Sequence, residues 1–270
     1  MKLSVILSLL AWSLTMSAAD NDQNKPFGFC TVSSRSDAAL TYSVTGGGCY
    51  AYPLPDGFSG RVAVLTSEGP DVDMEKVIEN AIKRNDVVIL DGSKGDFMDG
   101  MDGNFDINNS SDFITVSWCT FRYTERSYMH QNTNLVGYSD REKNGFLNTT
   151  FAFNWWGEGC RQRMPMARVG KIHMLNNYYT CTTAANCINP RKNSEFLIDG
   201  NYFDKGVKKY YSQDDAIAVT WTPNNFIAEA GVQPASIGDA VTVPYDYVAA
   251  PCSEVPEMVK SKAGATLFGN

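Results

Sequence analysis

Four cations, Arg161, Arg163, Arg168 and Lys171, fall within one short run of the stretch RQRMPMARVGKIHMLNNYY (161–179), with no carboxylate among them. The chain as a whole has a formal charge of −7. Long-range attraction therefore cannot draw a polyanion to it, and a basic cluster on such a chain suits a specific anionic group. Arginine is well matched to that task, because its planar fork can grip a carboxylate with two parallel hydrogen bonds. Pro165 and Gly170 interrupt the run, so Arg163 and Arg168 are expected near a bend and the start of a strand, not within a helix. A solvated basic turn would have the same composition. The elements around the run have to decide between the two.

Other chemistries are poorly served. The only histidines are His130 and His173, and none of the seven cysteines forms a Cys-x-x-Cys pair. A zinc site or a Ser-His-Asp triad finds little support. The acidic balance argues against nucleic acid as a partner. The chain opens MKLSVILSLLAWSLTMSAAD, with Lys2 before an apolar run from Leu3 to Met16 and the small residues Ser17-Ala18-Ala19 behind it. This reads as a signal peptide over 1–19 and a secreted product, extracellular or periplasmic. No later stretch is long enough for a membrane span. Export makes disulfides possible, and Cys181–Cys187 and Cys30–Cys49 are the short-loop pairings that suggest themselves. An odd count leaves at least one free thiol. Cys119, in an apolar strand, reads as a buried small hydrophobe.

The positioning elements are mostly strands. Residues 20–85 read as an irregular N-terminal cap containing the strand RVAVLT (61–66). One short helix is expected where Met74, Val77, Ile78, Ala81 and Ile82 follow Asp73. From Val87 onward a repeat appears. TVSWCTF ends at Phe121, TTFAFNWW at Trp156, IHMLNNYY at Tyr179 and FLIDGNYF at Phe203. Two residues before each of these aromatics stand Cys119, Asn154, Asn177 and Asn201. A strand, an asparagine and an aromatic recurring at about two dozen residues is the mark of a solenoid whose coils stack on one another. Stacked asparagines can form a hydrogen-bonded ladder, and stacked aromatics can fill the interior. The longer interval between Phe121 and Trp156 leaves room for a further coil edge at Asn134 to Gly137 and a loop. The expected fold is all-β: a single-stranded right-handed parallel β-helix, with coils over 86–204 and a C-terminal segment (205–270) wrapping the solenoid as a monomer.

With that fold in hand, the chain resembles the extracellular pectate lyases, a family of polysaccharide lyases. SDFITVSWCTF (111–121) is similar to the family's strand. HQNTNLVGYSD (130–140) is similar to H-x-K-x-x-L-I-G-x-S-D. RMPMARVGKIHMLNNYY (163–179) is similar to R-x-P-R-x-R-x-G-x-x-H-x-x-N-N-Y-Y, and EFLIDGNYF (195–203) to the next coil. The resemblance implies β-elimination on polygalacturonate, an acidic polysaccharide. A base removes the C5 proton α to a uronate carboxylate and the C4–O bond breaks, with charge neutralisation as the carbanion-like state develops. It implies Arg163 as the base, with Arg168, Asn132 and Lys171 binding substrate. It also implies Ca2+ held by Asp102 and Asp106 of MDGMDGNFDI (98–107), oxygen ligands of the kind calcium prefers. His173, at the motif's histidine, is expected to be structural.

Two departures stand out. Asn132 replaces the family's substrate-binding lysine, and Met166 replaces a third arginine. GSKGDF (92–97) runs straight into MDGMDG, where the family has further coils, so an internal deletion is expected near Phe97–Met98. The alternatives are a non-catalytic or degenerate β-helix that binds pectic polymer, a calcium-independent lyase acting on esterified polymer with Trp155 and Trp156 lining a cleft, and a hydrolase using Asp102 and Asp106.

Overall fold

The computed structural model describes residues 98–264 apart from 101, 128–130 and 230–231. Outside that span it describes Asn80 and the backbone of the strands at 4–7, 30–36, 39–44, 62–65, 87–90 and 96–97. The expected helix at 74–82, most of the N-terminal cap, the Cys30–Cys49 pairing and His130 therefore lie outside the described residues.

The first six strands are β1 (Ser4–Leu7), β2 (Cys30–Ser36), β3 (Ala39–Val44), β4 (Val62–Leu65), β5 (Val87–Leu90) and β6 (Asp96–Met98). Next come β7 (Ile114–Ser117), β8 (Thr120–Arg122), β9 (Leu135–Val136), β10 (Thr149–Ala152), β11 (Trp155–Trp156) and β12 (Met166–Ala167). The last seven are β13 (Lys171–Leu175), β14 (Tyr178–Tyr179), β15 (Asn189–Pro190), β16 (Glu195–Asp199), β17 (Tyr202–Phe203), β18 (Ala218–Trp221) and β19 (Phe226–Ile227). Three parallel sheets result, in the orders β18-β16-β13-β10-β7-β1-β5-β4, β19-β17-β14-β11-β8-β6 and β15-β12-β9. The coils β7-β8-β9, β10-β11-β12 and β13-β14-β15 each lend one strand to each sheet in turn. The fold is a parallel β-helix.

The stretch from Val169 to Tyr179 holds two strands, β13 and β14, separated at Asn176-Asn177. That break is what lets the chain turn from one sheet into the next. Trp118, Phe153 and Asn176 take left-handed backbone conformations at the same corner in successive coils, with Gly200 next in the column. A Cβ on Gly200 would sit 2.4 Å from Asn176 Nδ2, so only glycine fits there. Immediately after each corner residue comes the ladder. Asn154 Oδ1 accepts from the Cys119 amide, Asn177 Oδ1 from the Asn154 amide, and Asn201 Oδ1 from the Asn177 amide. These side chains are buried, and an unsatisfied amide there would cost about 1–3 kcal/mol per group. The rungs therefore hold the register tightly.

Inside, Phe121, Trp156, Tyr179 and Phe203 stack with centroid separations of 5.3, 4.9 and 4.5 Å. The stack and ladder run one coil further than the sequence periodicity indicated. Asn225 Oδ1 accepts from the Asn201 amide, and β19 pairs with β17. Trp221 stacks on Phe203 at 6.0 Å, while Ile227 occupies the register position held by Phe203 one coil earlier, so no aromatic marked that position.

At the other end, β1 lies between β5 and β7 in the first sheet. Part of the apolar N-terminal run thus supplies a strand. In the second sheet β6 pairs directly with β8, Phe97 facing Phe121 in register.

The C-terminal segment wraps the first sheet as expected. Val241 N–H donates to Thr220 Oγ1 (2.8 Å), Tyr247 Oη to Asp199 Oδ2 (2.9 Å), and Ala250 N–H to Asn176 Oδ1 (2.8 Å). Tyr245 Oη lies 2.8 Å from His173 Nδ1 and 2.6 Å from Thr150 Oγ1. A final helix, Val255–Lys262, buries Val255 and Val259 against the stacked pair Trp118 and Phe153.

Candidate functional site

The third sheet and its flanking turns carry the basic run. Met166-Ala167 (β12) lies between Leu135-Val136 (β9) and Asn189-Pro190 (β15), and Ile107 bridges to Val136 one coil earlier. Consecutive coils therefore bring the acidic turn at 102–106, the segment 132–140 and the arginine run at 161–168 to one face. Strands in a sheet lie about 4.8 Å apart, so the acidic turn stands roughly two such steps from the arginines. A long guanidinium side chain can reach back across that distance.

Arg163 does reach back. Its Nη1 lies 3.6 Å from Asp102 Oδ1. Its backbone is left-handed (φ 63°), a conformation costing a non-glycine residue roughly 1–2 kcal/mol. It is sustained because Asn134 N–H donates to the Arg163 carbonyl and the next residue, Met164, donates to the Cys187 carbonyl. Arg168 follows β12. Its Nη1 donates to the Gly137 carbonyl (3.1 Å), and its Nε is 3.2 Å from Asp140 Oδ1. Partial burial and the nearby Arg191 and Arg163 hold the Arg168 guanidinium below its usual range, and Asp140 opposes them.

On the acidic side, Asp102 is exposed, while Asp106 Oδ1 accepts from the Leu135 amide (2.8 Å). Crowding by the protein raises the Asp106 carboxyl above the ordinary range, with Asp102 adding to this and the Leu135 bond and Arg163 opposing it. Its accessible surface is nonetheless substantial, so an ion can reach it. Gly103 shapes this turn, since a Cβ there would stand 2.2 Å from Asp106 Oδ1. Asp99 is already committed, its two oxygens accepting from the Thr124 amide and hydroxyl.

The donor set fits calcium in one specific sense. Two carboxylates face solvent beside Arg163, but no group of three His, Cys, Asp or Glu side chains placed to hold a metal occurs among the described residues. Calcium takes six to eight oxygens. The protein offers part of a shell, and uronate and water oxygens would have to complete it.

Two of the sequence-predicted residues stand apart from this cluster. Asn132 is 2% exposed, and its amide oxygen accepts from Gln162 Nε2 (2.6 Å). It presents Gln162 toward the face and is not itself available to a large ligand. Lys171 Nζ is 3.7 Å from Glu195 Oε2, its in-register partner on β16. His173 is buried in the sheet beneath the C-terminal segment, consistent with a structural role.

Asp140, Arg191 and Tyr123 joined the site without being singled out beforehand. Asp140 contacts both Arg168 and Lys192, the latter at 3.7 Å. Arg191, one coil beyond Arg168, pairs with Asp214 at 3.8 Å. Applying the repeat of about two dozen residues to Arg168 would have found Arg191. Tyr123 hydrogen-bonds the Asn132 carbonyl, and burial, with Asp106 and Asp102 nearby, pushes its phenol up. No sequence signal pointed to Tyr123.

Comparison with known proteins identifies the family. A family model described as pectate lyase matches residues 68–266. Pectate lyase A of Emericella nidulans is 36% identical over 174 residues, covering 63% of this chain and 49% of that protein. Pectate lyase A of Aspergillus niger is 35% identical over 172 residues, covering 63% of this chain and 50% of its own. The chain thus spans about half the length of the curated relatives it matches. Among solved structures, a variant of the Bacillus subtilis pectate lyase aligns with a TM-score of 0.56 at 20% identity, covering 67% of this chain and 51% of that one. A pectate lyase bound to a hexasaccharide aligns at 0.55 and 20%, with the same two coverages. At that identity these likenesses speak for the fold alone. The match to the family model, over most of the chain, carries the assignment: this chain belongs to the pectate lyase family.

Proposed function

We propose that this chain cleaves polygalacturonate by β-elimination, with Arg163 as the base and Arg168 holding the substrate carboxylate. The observation that supports it best is the approach of Arg163 Nη1 to Asp102, which puts a guanidinium and an acidic turn side by side on a face flanked by Arg168. The C5 proton passes to the Arg163 guanidine, the C5–H electrons form the C4–C5 double bond, and the C4–O electrons leave with the departing oxygen, which takes a proton from water. Arg163 must be neutral to accept that proton. Arg168 is held by the Gly137 carbonyl and by Asp140, which leaves its Nη2 edge for a uronate carboxylate. Asp102 and Asp106 would hold Ca2+, which supplies charge neutralisation for the uronate when bound. The leader sequence supports secretion, where such a polymer is met.

A second reading, a β-helix that binds pectic polymer without cutting it, is favoured by the inward commitment of Asn132 and the half-length match to relatives. One assay separates the two. Folded full-length protein with calcium and polygalacturonate is expected to generate an ultraviolet-absorbing unsaturated product. The signal should vanish with chelator and fall by about 10²–10⁴-fold in Arg163→Lys, the range of general-base contributions. Retained polymer binding with no unsaturated product would replace the lyase reading with the second.

A further inference from the structure

A group of sulfurs lies in the solenoid interior directly beneath the arginine run. Cys181 Sγ is 3.8 Å from Cys187 Sγ and 3.4 Å from Met164 Sδ. Both thiols are fully buried. Between them runs a five-residue turn, 182–186, whose backbone supports the coil that carries Arg163. The Arg161 carbonyl accepts from the Ala185 amide (2.6 Å) and the Asn186 amide (3.2 Å), and the Met164 amide donates to the Cys187 carbonyl (2.9 Å). Closing the gap to a bond of about 2.05 Å requires side-chain rotation over less than 2 Å.

We propose that Cys181 and Cys187 form a disulfide that staples this turn beneath Arg163. Each thiol loses its proton and the pair gives up two electrons, and a small-molecule disulfide such as oxidised glutathione accepts them and leaves as two thiols. Burial pushes the Cys187 thiol well up and so removes the reactive thiolate from the folded chain. The bond must therefore form while the turn is still open, during folding in an oxidising compartment. Cys160, whose thiol burial also raises, is the remaining sulfur close to Cys181 and stays reduced. The inference does not depend on the proposed cleavage activity.

The test uses full-length protein refolded in a glutathione redox buffer, denatured, alkylated and mapped by peptide mass spectrometry. The expected result is a Cys181–Cys187 linked peptide that takes up label only after reduction, with Cys160 labelled throughout. For a loop of this size, reductant should lower the melting temperature by roughly 4–8 °C. The drop should be smaller by that amount in a Cys181→Ala/Cys187→Ala variant. Full labelling of both thiols after oxidative refolding, a Cys160–Cys181 link, or a melting temperature indifferent to reductant would each overturn the proposal. The mapping needs no variant, so a variant that fails to fold does not blunt the test.

Discussion

His173 makes the protein acid-sensitive in a way that one substitution can isolate. Its ring is 1% exposed. Nδ1 is engaged by Tyr245 and the ring edge meets Tyr247 at a centroid distance of 4.5 Å, but Nε2 has no hydrogen-bond partner. Burial drives its pKa from 6.5 down to about 3, against a weaker upward pull from Asp199, the one carboxylate acting on it. The unfolded chain therefore binds a proton near pH 6.5 that the folded chain refuses until about pH 3. Stability attributable to His173 is whole above pH 6.5 and lost as pH falls toward the folded value, at about 1.4 kcal/mol per pH unit. By pH 4.5, some two units below the unfolded value, the loss is about 3 kcal/mol, a large share of a typical domain's stability. Carboxylates elsewhere also titrate there, so the comparison must be with His173→Gln, which keeps a polar group but cannot take up the proton. Urea denaturation followed by tryptophan fluorescence between pH 7.5 and 4.5 should show wild type losing about 3 kcal/mol more than the variant. The variant is expected to start lower, because the amide packs less well against the two tyrosines. Parallel stability curves for the two proteins would refute the argument, since they would mean that His173 protonates in the folded state at no cost.

Three further outcomes follow from the same contacts. Asn177→Ala strips the acceptor from the Asn154 amide and Asn154 Nδ2 and the donors to Phe151 and Asn201. Several buried groups go unsatisfied, and a loss on the order of 3–5 kcal/mol in urea melts is expected. Asp140→Asn weakens the hold on Arg168 and Lys192, but these pairs are half-exposed. The melting temperature should barely move, while polygalacturonate affinity falls a few-fold in a binding titration. Gly103→Ala forces the Asp106 carboxylate aside, so any calcium-induced rise in melting temperature should shrink while the calcium-free stability in urea melts stays within about 1 kcal/mol of wild type.

The coil architecture was legible because its physics repeats. Asn154, Asn177 and Asn201 recur where a buried corner demands a side chain that both accepts and donates, and Trp156, Tyr179 and Phe203 recur where an interior column must be filled. The last coil was illegible because Ile227 fills its interior position without an aromatic, and because Asn225 belongs to an Asn-Asn pair easily read as a turn. The site was only partly legible. Arg163 and Arg168 were marked by type and by a charge anomaly, but a side chain's direction is set by its corner. Asn132 could not be seen to face inward until its Gln162 partner, a whole coil away in sequence, was in place. Lys171 shared the run's composition, yet it sits at the start of β13, on the adjoining sheet, where its in-register neighbour is Glu195.

A solenoid couples each coil only to its neighbours, so a chain that matches only about half the length of its relatives can keep a site intact if the coils beneath it remain. The arginine coil meets that condition on both sides. β12 is paired with β9 and with β15, and the Arg163 and Arg168 turns draw backbone hydrogen bonds from coils before and after. The acidic turn is placed differently. Its main ties run forward, from the Asn104 and Phe105 amides to the Thr133 carbonyl and from the Leu135 amide to Asp106, and it precedes β7, whose neighbour on the N-terminal side is β1. If residues 1–19 are removed on export, β7 loses that neighbour and either exposes an unpaired edge or closes onto β5. The arginine half of the site is therefore insulated from events at the N-terminal end, and the carboxylate half that would hold calcium is not. Loss of metal affinity with retained polymer binding is the failure this architecture favours.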